Sequence, residues 1–174
     1  MKRTLVILFS SLWAVVSCSN KLYNDVRHRD LYELSFQHIV ENGTGNKEDY
    51  QISNRMYNLD MWMFSDSLND FPAKREIIDS IVECNKFMFD LKSSKNHLSY
   101  ISKQATSPKY VVFYSEVHND MIVANVFPID PKTHSKEDYN NYAKMSAFTV
   151  SRDYLFIFCN NNLVKTVTKE MISN

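Results

Sequence analysis

Glycine is almost absent from this chain of 174 residues, which has only Gly43 and Gly45, both in one loop. Loops that cradle phosphate groups depend on glycine, because side chains would keep backbone N–H groups away from the phosphate oxygens. The chain has no G-x-G-x-x-G, no G-x-x-x-x-G-K-[ST] and no G-x-S-x-G sequence. These absences argue against the usual dinucleotide-binding fold, the P-loop nucleotide hydrolases and hydrolases with a nucleophile elbow.

The chain also lacks an excess of charge of either sign, with 20 basic and 20 acidic side chains. Binding of nucleic acid through a broad surface needs a positive excess that neutralises phosphates, so we expect no nucleic-acid partner. The 44% hydrophobic and 23% charged residues are typical of a globular protein rather than a disordered or fibrous one. The length corresponds to a single domain.

Cysteine is scarce as well, with three residues at Cys18, Cys84 and Cys159. No two of them form a C-x-x-C pair, so the sequence carries no zinc-binding or thioredoxin-like redox motif. An oxidising compartment would permit a disulfide between Cys84 and Cys159. We expect instead that both are free thiols that pack as small hydrophobic side chains.

A hydrophobic run long enough for a transmembrane helix, about 20 residues, is not present at the amino end either. Residues 4–16 are mostly apolar and follow a short basic start, Met1-Lys2-Arg3. A basic start, 7–15 apolar residues and a small residue before the cleavage site define a secretory signal. The sequence therefore predicts a signal peptide over residues 1–17.

The end of this run, Val15-Val16-Ser17-Cys18, resembles the lipobox of bacterial lipoproteins: an aliphatic residue, a tolerant position, a small residue and a cysteine. The resemblance covers residues 1–18 only. It implies that the Cys18 thiol carries a diacylglyceryl group, that the chain is cut before Cys18, and that the new amine is often acylated. Ser19, rather than an aspartate, follows the cysteine, which implies the outer membrane of the cell envelope.

Two other interpretations of the amino end remain open: an ordinary secretory signal with a chance cysteine, and an uncleaved anchor. On the lipoprotein interpretation, we expect a lipidated tether over residues 18–25 and a single α+β domain over residues 26–174.

Two helices are predicted early in this domain. Apolar residues recur at near-helical spacing between residues 26 and 40, and Asn42-Gly43 is a typical helix end. A second helix is predicted over residues 72–91, where Pro72 suits a first helical position. Residues 50–64 fit a helix stripe or a strand face equally well. Their aromatic content and the break at residues 65–67 favour a strand.

After Pro108 the apolar spacing changes to two, which is typical of strands. Residues 110–117 and 121–127 form a predicted hairpin, because asparagine and aspartate at its turn tolerate left-handed backbone. Further strands are predicted over three ranges, the first two joined at Ser151-Arg152-Asp153: residues 144–150, 154–159 and 163–168.

The predicted fold is therefore α+β, with two N-terminal helices packed on a four- or five-stranded antiparallel meander sheet. The strand over residues 154–159 is apolar on both faces. Such a strand is expected to be central, with its second face covered by more of the chain or by a partner.

One group of polar residues could carry chemistry. Glu116 and His118 are two apart on a strand and so share a face, Asp120 follows, and His134 could add a ligand from a neighbouring loop. Such residues could build an acid–base or metal site, although hairpin ends are also polar simply because water surrounds them. The sequence indicates no other catalytic residue, and we expect no cofactor.

Three hypotheses about function follow. The leading one is a membrane-anchored envelope lipoprotein that acts as a non-catalytic binding or assembly module. It would present an aromatic sheet face to an envelope protein or small ligand. The second is a small envelope hydrolase or metal-dependent enzyme that uses Glu116, His118, Asp120 or His134. The third is a periplasmic inhibitor or immunity protein.

Overall fold

The computed structural model describes residues 28–57, 61–68, 75, 78–79, 94–95, 98–101, 105–147 and 149–172. Its helices and strands, in chain order, are α1 (28–42), β1 (Tyr50–Met56), β2 (Ser94–Lys95), β3 (Tyr110–Tyr114), β4 (Met121–Pro128), α2 (Tyr142–Ser146), β5 (Val150–Cys159) and β6 (Asn162–Ile172). Short 3₁₀ turns lie at Lys47–Asp49, Trp62–Leu68, Leu98–Tyr100 and Asp138–Asn140. Within these residues no helix is both long enough and apolar enough to cross a membrane.

The strands form one mixed sheet in the order β2-β1-β3-β4-β5-β6. β2 has only two residues, so five strands carry the sheet. β1 runs parallel to β3, with Tyr50 opposite Tyr110, and every other neighbouring pair is antiparallel. The predicted antiparallel meander is therefore wrong at β1. A long connection separates β1 from β3, and such a connection lets the chain cross over and return in the same direction.

The α+β class is confirmed, but the prediction of two N-terminal helices on the sheet is wrong. α1 is the only substantial helix in the part of the chain described, and it ends at Asn42 as expected. The helix predicted over residues 72–91 lies mostly outside the described residues. Within that range the structure describes only residues 75, 78 and 79, and these are helical.

Two strand predictions need correction. The strand predicted over residues 50–64 stops at Met56, and Trp62–Leu68 form a 3₁₀ helix. The strand predicted over residues 144–150 is also wrong, because its first three residues belong to helix α2 and strand β5 begins only at Val150. The Asn141 side chain accepts a hydrogen bond from the Lys144 backbone N–H, which caps the helix, and Met145 is buried in the core.

The turn predicted at Ser151-Arg152-Asp153 is also absent, because β5 runs unbroken from Val150 to Cys159. Arg152 lies opposite Glu170 in the ladder, and their side chains form an ion pair. Ser151 and Asp153 are buried on the other face of the same strand. These three polar residues therefore belong to a strand, which their residue types alone do not indicate.

The predicted hairpin is confirmed, although its first strand ends at Tyr114 and not at residue 117. β3 and β4 pair from Tyr110 opposite Pro128 to Tyr114 opposite Ala124. Asn119 and Asp120 in its turn have φ values of 46° and 59°. Asn160 and Asn161 connect β5 to β6 with φ values of 49° and 63°. Asparagine and aspartate adopt this left-handed backbone more readily than other non-glycine residues, so the chain makes tight turns without glycine.

Buried side chains cover both faces of the sheet. On one face, Leu31, Phe36 and Ile39 of α1 belong to the same buried cluster as Tyr154 and Phe156 of β5. On the opposite face the cluster combines residues from the 3₁₀ segment, from α2 and from the sheet: Phe64, Leu68, Met145, Val111, Phe113 and Leu155. β5 is thus buried on both sides as predicted, and the chain itself supplies the cover.

Candidate functional site

A small cavity opens on the α1 side of the sheet, at the end where β4 finishes and β5 begins. Its volume is about 250 Å³. We call it the tyrosine groove, and its lining consists of Gly43, Thr44, Tyr50, Tyr110, Val126, Pro128, Val150, Ser151, Arg152, Tyr154 and Glu170. Alternate residues of a strand point to the same face, so Val150, Arg152 and Tyr154 face the groove together.

The loop between α1 and β1 forms one wall of the tyrosine groove and is held on the Tyr50 hydroxyl. The backbone N–H groups of Thr44 and Gly45 hydrogen-bond to that oxygen. The Thr44 and Tyr110 hydroxyls are 2.6 Å apart, and the Tyr50 and Tyr110 rings stack with centroids 5.0 Å apart. Each group of this wall is therefore fixed by a partner, and the wall is formed before any ligand arrives.

The other side of the groove carries its charges. The Arg152 guanidinium donates to a Glu170 carboxylate oxygen at 3.1 Å, and Tyr154 follows two residues along β5 on the same face. Tyr154 is buried, and its ring stacks on Phe156 with centroids 5.7 Å apart. Burial raises the pKa of Tyr154 above its usual value, so its hydroxyl stays protonated near neutral pH.

Three of the residues singled out from the sequence lie together at the β3–β4 hairpin. His118 pairs with Met121 through backbone hydrogen bonds of 3.0 and 2.8 Å, and its Nε2 is buried without a hydrogen-bond partner. Asp120 holds the left-handed turn, and its carbonyl accepts from the Phe158 N–H at 2.9 Å. Glu116 is exposed. His118 and Asp120 therefore have defined parts in building the turn.

His134 lies beyond the opposite end of β4. β4 has eight residues and a strand rises about 3.3 Å per residue, so β4 is roughly 23 Å long. This length lies between His134 and the hairpin turn. The structure does not bring His134 together with Glu116, His118 and Asp120. Among the residues described, no three histidine, cysteine, aspartate or glutamate side chains cluster in a way that could hold a metal ion.

His134 instead lines a second cavity of about 710 Å³, next to the ion pair of Asp138 and Lys144. The Asp138 carboxylate accepts from the Lys144 ammonium at 2.7 Å and from the N–H and hydroxyl of Ser135 at 2.8 Å each. These donors, Lys144 first, hold the pKa of Asp138 well below its usual range. His134 Nδ1 accepts from the Asp130 N–H at 3.2 Å. Both side chains thus stabilise the loops around them.

The cysteines are placed as follows. Cys159 is a free thiol, as predicted, but it is exposed at the end of β5 rather than buried. Cys84 and the predicted lipidation site Cys18, with the rest of residues 1–27, lie outside the described residues.

Sequence reasoning missed most of the tyrosine groove. Its residues come from five strands and one loop, and Arg152 was expected in a turn. The only sequence signal is the clustering of tyrosines in the strand Tyr110–Tyr114, which contributes Tyr110 to the groove. Comparisons with protein families, with characterised proteins and with solved structures find no match to this chain.

Proposed function

We propose that the chain is a bacterial envelope lipoprotein, anchored through Cys18, whose folded domain is a binding module that holds its ligand in the tyrosine groove. The amino end supports the anchor: a basic start, an apolar run over residues 4–16 and a cysteine directly after the small residue Ser17. A signal peptide needs the first two features and lipidation needs the third, so the pattern satisfies independent requirements.

The physical chemistry of such an anchor favours stable attachment. Each buried methylene contributes about 0.8 kcal/mol, and one acyl chain alone binds a membrane only marginally. A diacylglyceryl group places two chains on Cys18, and an acylated amine would add a third. The protein would therefore stay at the bilayer without a spanning helix. Ser19 after the cysteine supports the outer membrane as its location.

The observation that carries the binding role is the tyrosine groove. The central strands are buried on both faces, so a ligand would not find the open sheet face that the sequence suggested. The groove instead offers hydroxyl groups on a fixed wall and an ion pair on its opposite side. Glu170, the only carboxylate among the lining residues described, is paired with Arg152. This arrangement suits holding a ligand better than activating a nucleophile.

The anchor is tested by feeding cells an alkyne-tagged fatty acid and following the full chain. Cys18→Ala should abolish labelling and shift the protein from the membrane fraction to the soluble one, because the acylated sulfur is gone. Cys159→Ala removes another thiol, exposed and free, and should label and fractionate like the unaltered protein. Labelling of the Cys18→Ala variant at the level of the unaltered protein would contradict the proposal.

A further inference from the structure

The chemical class of the ligand follows from the tyrosine groove, if its proposed binding role holds. We infer that the groove takes a neutral saccharide. Three properties of the lining lead to this class: its charges cancel, its polar groups both donate and accept hydrogen bonds, and part of its surface is apolar.

The charge balance of the groove excludes strongly charged ligands. Arg152 and Glu170 are the only charged residues among the described lining, and they pair at 3.1 Å directly across the β5–β6 ladder. An anionic ligand would compete with Glu170 for the guanidinium and be repelled by the displaced carboxylate. A cation would face the same conflict with Arg152. A neutral ligand can bind while the pair stays intact.

The polar groups of the groove match a ligand that carries many hydroxyls. Hydroxyls both donate and accept, a guanidinium only donates and a carboxylate only accepts. Thr44 and Tyr110 use one O–H in the bond between them, so the second O–H of this pair can donate to a ligand. A sugar presents hydroxyls that can meet each of these needs. Because the groups are already fixed, little entropy is lost when they bind.

The apolar part of the groove matches the C–H face of a sugar ring. Val126, Pro128 and Val150 lie beside the tyrosines, and Val150 is 49% exposed. A purely apolar ligand would cover Arg152 and Glu170 without replacing their water, which costs free energy. A cavity of about 250 Å³ suits one compact unit better than an extended peptide.

The test is isothermal titration calorimetry with the full lipidated chain in a zwitterionic detergent, since detergents with sugar headgroups would compete. The probes are neutral trisaccharides based on glucose, galactose, mannose and N-acetylglucosamine. Trigalacturonate serves as a charged probe of equal length and an uncharged tripeptide amide as a probe of another class. We expect saturable binding of at least one neutral sugar and none of the charged or peptide probe.

Two variants connect binding to the groove. Arg152→Met should weaken the sugar about tenfold or more, because hydrogen bonds to charged groups are the stronger ones. Tyr110→Phe keeps the ring stack, removes the hydroxyl, and should weaken binding about fivefold. Tyr139→Phe is the matched control, since Tyr139 packs against the opposite core, and it should bind like the unaltered protein.

Several results would overturn this inference: no neutral sugar binds, trigalacturonate or the peptide binds at least as tightly, or both groove variants bind like the control. Circular dichroism of each variant shows whether it is folded, and Tyr110→Phe keeps the argument testable if Arg152→Met unfolds. Failure here with Cys18-dependent labelling intact would reject the ligand class alone. If the unaltered protein took up no fatty-acid label but still bound the sugar, the anchor alone would be rejected.

Discussion

Asp153 is a single buried residue whose charged form is disfavoured in the folded protein. The residue is 3% exposed on the sheet face opposite α1, and the nearby Ser151 and Asn125 side chains oppose only part of the effect of this burial on its pKa. Its Oδ1 has no hydrogen-bond partner. Lys169 lies directly opposite in the ladder, but its ammonium donates to the Met63 carbonyl instead. Burial without a cation raises the pKa of Asp153 above its usual value.

This raised pKa predicts a dependence of stability on pH. The folded state favours the protonated carboxyl, so its contribution to stability is complete below the unfolded pKa, near 3.9, and is lost as the pH rises through the folded pKa. Asp153→Asn should therefore be more stable than the unaltered protein by about 1 kcal/mol at pH 8, because no buried charge remains. The advantage should shrink towards pH 4.

Urea unfolding of both proteins at pH 4, 6 and 8 measures this difference. Asp66→Asn changes an exposed carboxylate and should stay within about 0.5 kcal/mol of the unaltered protein at each pH. If Asp153→Asn were the less stable protein at pH 8, the fold would have to hold the carboxylate in its charged form, and the prediction would be wrong.

At the scale of elements, the loop between α1 and β1 is built closely around one tyrosine. A Cβ atom on Gly43 would collide with the Tyr50 hydroxyl and lie 2.6 Å from the Ile39 carbonyl oxygen, which belongs to the helix backbone. We predict that Gly43→Ala lowers the free energy of unfolding by about 2 kcal/mol, because backbone and buried ring must shift.

Gly45→Ala is the matched control for this loop. Its Cβ would lie 2.9 Å from Asp49 Oδ2 and 3.0 Å from Asp49 Cβ, but no backbone atom is among its nearest contacts, so the loss should be smaller. Thermal unfolding of the two variants measures the contrast. Equal losses, or no loss for Gly43→Ala, would show that the loop does not close on Tyr50 as described.

Elements whose signal is local could be predicted from the sequence, and those decided by distant contacts could not. The β3–β4 hairpin follows from two apolar runs and a turn that Asn119 and Asp120 can adopt. α2 has no such signal, since it depends on the cap at Asn141 and the burial of Met145. β1 pairs in parallel with β3, although more than fifty residues separate them along the chain. Hydrophobic periodicity does not indicate which distant strands will pair.

The candidate site is harder to predict for the same reason. Thr44, Tyr110 and Glu170 meet only because the sheet order and the strand register bring them together. Conversely, Glu116 and His118 look like a site because they are close in sequence, whereas the structure separates them from His134 by the length of β4.

At the scale of the whole molecule, the proposed function places a folded domain on a short tether. The proposed tether, residues 18–25, has eight residues and so reaches at most about 28 Å when fully extended. The tyrosine groove would thus work close to the membrane surface, within reach of ligands held there. Both sheet faces are used for the core, which leaves the sheet end as the part of the fold that is free to present a groove.

The proposed attachment of this domain to a bilayer is tested most directly by mass spectrometry of the amino-terminal peptide of the protein purified from cells. We expect a chain that begins at Cys18 and carries the mass of a diacylglyceryl group on the sulfur, with or without an acyl group on the amine. A chain that still begins at Met1, or one that starts elsewhere and carries an unmodified Cys18, would contradict this expectation.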